Sequence, residues 1–140
     1  MKIFIDTNVL ADTMVIREES RFSIDAVNLM SAFNDLEVTL YASVISIPTL
    51  AYLIKGVATE IKKNNLKQLL KNIYILPSHS KHVDYALNSK WRDIEDAMQY
   101  ACAIENGCDL IITRNLNDFA ESTIPIMTPS EFLAEITEPA

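Results

Sequence analysis

Glycine is nearly missing: Gly56 and Gly107 are the only two in 140 residues. Their scarcity rules out a G-x-x-x-x-G-K-[ST] phosphate loop, a G-x-G-x-x-G fingerprint and a G-x-S-x-G elbow, each of which needs glycine where the backbone turns sharply or touches its ligand. Nucleotide cofactors and hydrolase triads are not expected. Cysteine is equally scarce. Cys102 and Cys108 cannot build a disulfide framework, and neither lies in a C-x-x-C or Cys/His pattern of zinc-binding spacing. They read as small buried apolar residues in a reducing compartment. Long apolar runs are lacking too, since Asp6 and Asp12 interrupt the N-terminal one before it could span a bilayer. A cytoplasmic protein with no membrane partner is expected. Basic residues are outnumbered, with a net charge of -7, which argues against indiscriminate binding to nucleic acid and suits bound cations.

What is present is an ordinary globular composition, 49% hydrophobic and 22% charged. With no repeat and no Pro/Gly/Ser linker, residues 1–140 read as one domain. The charge is uneven. Lys55, Lys62, Lys63, Lys67 and Lys71 face only Glu60, whereas the chain beyond Asn117 carries acids and no base. Strands are expected at Ile3–Ile5 and within "EVTLYAS", "IYILP", "CDLIIT" and "IPIMT". Between them, Phe22, Ala26, Leu29, Met30 and Phe33 follow helical spacing. Further helices are expected in "PTLAYLIKG", over about 58 to 72, near 80 to 88, from about 93 to 106, and in "TPSEFLAEI", which opens with the capping box Thr128 and Glu131. Strands alternating with helices in this order predict a three-layer α/β/α fold around a mainly parallel sheet of about five strands. Ligands of such sheets sit beyond the carboxyl ends of the strands, where Asp6 stands.

Three segments place acids at strand ends or helix starts. Asp6, taken alone, reads as the N-cap of a helix beginning near Val9. In "DIEDAMQYA", helical periodicity puts Asp93, Asp96 and Tyr100 on one flank, makes Ile94, Ala97, Met98 and Ala101 the core face, and turns Glu95 elsewhere. Asp93 is also a good N-cap there. "TRNLNDF" ends a strand at Thr113 and continues with Asn115, Asn117 and Asp118, which alone would be a turn made of turn residues. Together the three segments bring carboxylates to one end of one sheet, where they would take up protons unless a cation sat among them. Oxygen ligands of this kind favour Mg²⁺ or Mn²⁺ over zinc.

"FIDTNVL", "DAMQYACAIENGCDLIITRNLNDF" and "PIMTPSEF" resemble the PIN-domain family of small metal-dependent ribonucleases, which includes VapC-like toxins of toxin-antitoxin pairs. The resemblance covers nearly the whole chain, with the motifs in family order. It implies Mg²⁺- or Mn²⁺-assisted hydrolysis of RNA, with Asp6, Asp96 and Asp118 as the metal ligands and catalytic acids and Thr7, Asn8, Thr113 and Asn115 supporting them. It also implies an antitoxin protein as partner. One position departs from the pattern. Where many members have glutamate in "TLAELL", this chain reads "TLAYLI" with Tyr52, whose phenol is a poor Mg²⁺ ligand. The chain is similar to a bacterial subgroup sharing "DxEDAxQYA" and that missing glutamate, and Asp93 is the acid nearest to compensate, as a base or a fourth ligand.

Two rivals remain open in the sequence. One is a catalytically weakened PIN fold serving as a nucleic-acid-binding or scaffold protein, as Tyr52 would permit. The other is a phosphatase or phosphoreceiver with Asp6 as nucleophile, although Asn8 stands where a second Asp belongs. His79 and His82 could bind metal but, lacking a third ligand nearby, read better as a solvated helix start. Trp91 reads as a packing residue, and Lys63, Lys67 and Lys71 as a wet helix face. The strongly apolar "IPTLAYLIKG" helix suggests a homodimer.

Overall fold

A computed structural model describes residues 1–14 and 20–137. β1 (Lys2–Ile5), β2 (Thr39–Ser43), β3 (Ile73–Leu76), β4 (Leu110–Ile112) and β5 (Ile126–Met127) form a five-stranded sheet in the order β3-β2-β1-β4-β5. Every pairing in it is parallel. The helices are α1 (Thr7–Met14), α2 (Arg21–Phe33), α3 (Ser46–Leu53), α4 (Thr59–Leu70), α5 (Ser80–Leu87), α6 (Ile94–Glu105) and α7 (Pro129–Thr137). A short 3-10 turn spans Leu116–Phe119.

The central strands are apolar without alternation because helices cover both faces. Successive side chains of a strand point to opposite sides. Ile3 and Ile5 therefore join Leu110 and Ile112 in a core with Leu10, Leu29, Phe33 and Phe132. Phe4 and Ile111 face the other way, toward Trp91, Ala97, Tyr100, Cys102 and Phe119. The result is the expected three-layer α/β/α arrangement. Both cysteines are free and buried in or beside this second core, and burial pushes each thiol up to about 11. Gly56 (φ 75°) and Gly107 (φ 68°) take the left-handed conformation just past α3 and α6, where other residues would be strained. The capping box of α7 is formed in both directions, between Thr128 and Glu131.

Several residues differ from expectation. Phe22 is 53% exposed, because its ring carries the Arg114 guanidinium 4.7 Å above it rather than joining Ala26 and Leu29 in the core. On α6 the buried residues are Ala97, Gln99, Tyr100, Cys102 and Ala103, while Ile94 is exposed. The helix packs on α5 as well as on the sheet, which rotates its apolar face away from the one expected. His82 is not part of a solvated start. It is buried, accepts from the His79 backbone N–H at 3.2 Å through Nδ1, and pairs with Glu105 through Nε2, so it caps α5. Trp91 packs against Tyr100 and Phe119 and donates to the Tyr85 hydroxyl at 3.0 Å.

Candidate active site

From β1 the chain runs outward to β2 and β3, then returns to lay β4 on the other flank of β1. The strand order therefore reverses between β1 and β4, and parallel sheets open a crevice at such a point beyond the strands' carboxyl ends. Ile5 pairs with Ile112 as the last step of this ladder. The residues that follow, Asp6 and Thr113, consequently emerge side by side.

Asp6 does two things at once. Its N–H donates to the Ile112 carbonyl at 3.0 Å, and its own carbonyl accepts from Val9 and Leu10, opening α1. Its carboxylate turns to other partners: Oδ2 accepts from the Thr113 hydroxyl at 2.9 Å, and Oδ1 from Gln99 Nε2 at 3.0 Å. Gln99 Oε1 in turn accepts from the Thr7 backbone N–H at 3.2 Å. The Thr7 hydroxyl shares a 2.6 Å bond with Ser46 of α3, and Thr113 Oγ1 accepts from the Asn115 N–H at 3.2 Å. Thr7 and Thr113 thus support Asp6 by side chain, and Asn115 by its backbone. Asn8 lies half-buried in the first turn of α1 and takes no part in the described hydrogen bonds around Asp6. Gln99 and Ser46 were not legible as supports. Gln99 had a signal, a long amide within the otherwise uncharged run from Ala97 to Ile104, one turn after Asp96.

Asp96 stands at the electrical centre of the crevice. Burial, then the charges of Asp6, Asp93, Asp118 and Glu95, push its carboxyl up to about 8. Asp6 is pushed up to about 6 by burial, against the hydrogen bonds of Thr113 and Gln99 and with the charge of Glu95 adding to the rise. Asp118 enters from the 3-10 turn, its N–H donating to the Asn115 carbonyl at 3.1 Å. Asp93 is the N-cap of α6, Oδ1 accepting from the Asp96 N–H at 2.9 Å. Asp93 and Asp118 share the wall of a cleft of about 390 Å³ with Lys90, Trp91 and Arg92.

Glu95 does not turn away from the crevice. It is half-buried, Oε1 accepts from the Thr49 hydroxyl of α3 at 3.3 Å, and its charge reaches both Asp6 and Asp96. Side chains lean toward a helix N-terminus. Residues on two flanks of the first turn of α6 can therefore overhang the same strand ends. Tyr52 is 71% exposed, with the Lys55 ammonium 4.2 Å from its ring centre.

Residues 2–117 match the PIN domain. The chain belongs to the PIN-domain family. Ribonuclease VapC1 of Aquifex aeolicus (strain VF5) is 26% identical to it over 137 residues, spanning 94% of this chain and 92% of that protein. Among solved structures, VapBC2 from Rickettsia felis bound to a DNA fragment from their promoter superposes with a TM-score of 0.67 at 16% identity, covering 91% of this chain and 98% of that one. A toxin-antitoxin complex from Klebsiella pneumoniae gives a TM-score of 0.64 at 22% identity, covering 91% and 97%. These structures share the fold of the PIN domain described above.

The donor set of this PIN domain fits a hard divalent cation. All candidate ligands are oxygens, and burial together with like charge raises two of the carboxyls, a rise that a cation would oppose. Among the described residues, no three His, Cys, Asp or Glu side chains converge on one point. Mg²⁺ commonly completes its shell with water and substrate phosphate.

Proposed function

We propose that residues 1–140 act as one PIN domain that hydrolyses RNA phosphodiesters with Mg²⁺ or Mn²⁺, as the ribonuclease toxin of a cytoplasmic toxin-antitoxin pair. The observation that carries this reading is the gathering of Asp6, Asp96 and Asp118 at the β1/β4 crevice, with Asp6 and Asp96 pushed up by burial and like charge. The relative named a ribonuclease and the neighbours solved as toxin-antitoxin complexes support the substrate class and an antitoxin partner.

When bound, a divalent cation would supply charge to polarise a phosphate and to acidify an attacking water. The chain's own contribution is placement. Gln99 and Thr113 fix the Asp6 carboxylate from two sides, so it is presented without a search through rotamers. Asp96 and Asp118 present oxygens from α6 and from the loop after β4. Asp93, beside Asp118 in the cleft wall, is the candidate base, in addition to its capping of α6.

A second reading, a nucleic-acid-binding or scaffold module without catalysis, draws on Tyr52, which faces solvent and Lys55 where a carboxylate is expected. Incubating the protein with single-stranded RNA of mixed sequence and Mn²⁺, with and without EDTA, separates the two. Cleavage abolished by EDTA is expected. RNA that is bound but left intact under both conditions would favour the module.

A further inference from the structure

Glu95 is the one acid at the crevice that neither caps a helix nor carries a role in the account above. It reaches α3 and accepts from Thr49, one turn after the Ser46 whose hydroxyl bonds Thr7, the residue that follows Asp6. Such a placement is unfavourable by itself. A half-buried carboxylate beside two others, anchored by a single neutral hydroxyl, gains little and repels its neighbours. Among the described residues no base pairs with it: the ion pairs join Arg21 to Asp25, Arg114 to Asp12, and Lys81, His79 and His82 to Glu105. Asp93, by contrast, has its structural reason in the Asp96 N–H it caps. Thr49 also lies one helical turn before Tyr52 on α3, so Glu95 brings a carboxylate from α6 to the part of α3 where Tyr52 supplies none.

We propose that Glu95 is a further cation-facing carboxylate of the crevice, oriented by Thr49, and that it rather than Asp93 takes the place of the acid absent at position 52. This rests on the metal-dependent reading above. Asp6, Asp96, Asp118 and Glu95 would then be the residues that hold the cation.

The test is calorimetric titration of Mn²⁺ into the intact wild-type protein, Glu95→Gln and Asp93→Asn near neutral pH, with metal-free melting temperatures recorded for all three. Glu95→Gln should bind Mn²⁺ at least about tenfold more weakly. Without metal it should melt no lower than wild type, because one repelling charge is gone. Asp93→Asn should keep its Mn²⁺ affinity within about threefold, since Asn caps a helix as well as Asp does. Wild-type affinity in Glu95→Gln would overturn the proposal, as would a lowered melting temperature with unchanged Mn²⁺ binding, the signature of a structural contact to Thr49. A wild-type protein that binds no Mn²⁺ would instead remove the metal-dependent reading, and this proposal with it.

Discussion

Gln99 braces Asp6: its Nε2 donates to Oδ1 at 3.0 Å while its Oε1 accepts from the next residue's backbone N–H at 3.2 Å. One amide thereby fixes both the carboxylate and the first turn of α1. Gln99 is 1% exposed and Asp6 2%. Replacing Gln99 by leucine keeps the bulk but leaves two buried polar groups a partner short, which costs about 1–3 kcal/mol. Urea unfolding of Gln99→Leu should show a lower midpoint with an unchanged slope. An unchanged midpoint would show that the brace contributes nothing.

The acid cluster makes the metal-free protein sensitive to pH in a defined direction. Asp6 near 6 and Asp96 near 8 retain protons in the folded state that unfolded carboxylates release above about pH 4. The folded chain then binds more protons than the unfolded one across that window, so stability falls as pH rises. The penalty is absent below the unfolded pKa and complete above the folded value. In EDTA, the melting temperature should decline between about pH 5 and about pH 8.5, and Asp96→Asn should flatten the decline. Equal slopes in the two proteins would remove Asp96 as its source.

Cations and protons compete for the same oxygens. Mn²⁺ should therefore raise the melting temperature more at about pH 8 than at about pH 6, since a ligand of the folded state alone stabilises it. In Asp96→Asn the rise should shrink at both. An undiminished rise in the variant would place the cation elsewhere.

The fold was legible because its signals are local. Apolar strand runs, the Pro-Ser-Glu opening of α7 and glycines at two helix ends are each written within a few adjacent residues. At the crevice, Asp6, Asp96, Thr113 and Asp118 announce themselves by standing where strands end or a helix starts. Gln99, Ser46 and Glu95 do not, because their partners lie far away in sequence. Gln99 meets Asp6 across 93 positions and Glu95 meets Thr49 across 46. A helical wheel treats α6 as an isolated rod and so turns Glu95 away from Asp96. The first turn of α6 has α3 on one side and the β4 loop on the other, so both flanks matter. Position along the chain likewise cannot show that His82 is buried and paired with Glu105 at the far end of α6.

Assembly is the next expectation. Tyr52, Leu53, Val57 and Ile61 leave an apolar strip exposed along α3, the following turn and the start of α4. Large exposed apolar surface of this kind marks an interaction site, and a homodimer through it is the outcome we expect. Light scattering at high concentration should give twice the chain mass of 15.8 kDa, and Leu53→Glu should return the monomer. A monomer mass for the wild type at every concentration would refute the dimer.

The central claim is that the crevice acids carry RNA hydrolysis. The most direct measurement is the single-turnover rate of Mn²⁺-dependent cleavage of one single-stranded RNA by wild type and Asp96→Asn, each verified as folded by its melting curve. Losing the group at the centre of the cluster should slow cleavage by at least about a hundredfold, with the metal-free fold as stable as before or more so. Equal rates in the two proteins would contradict the account.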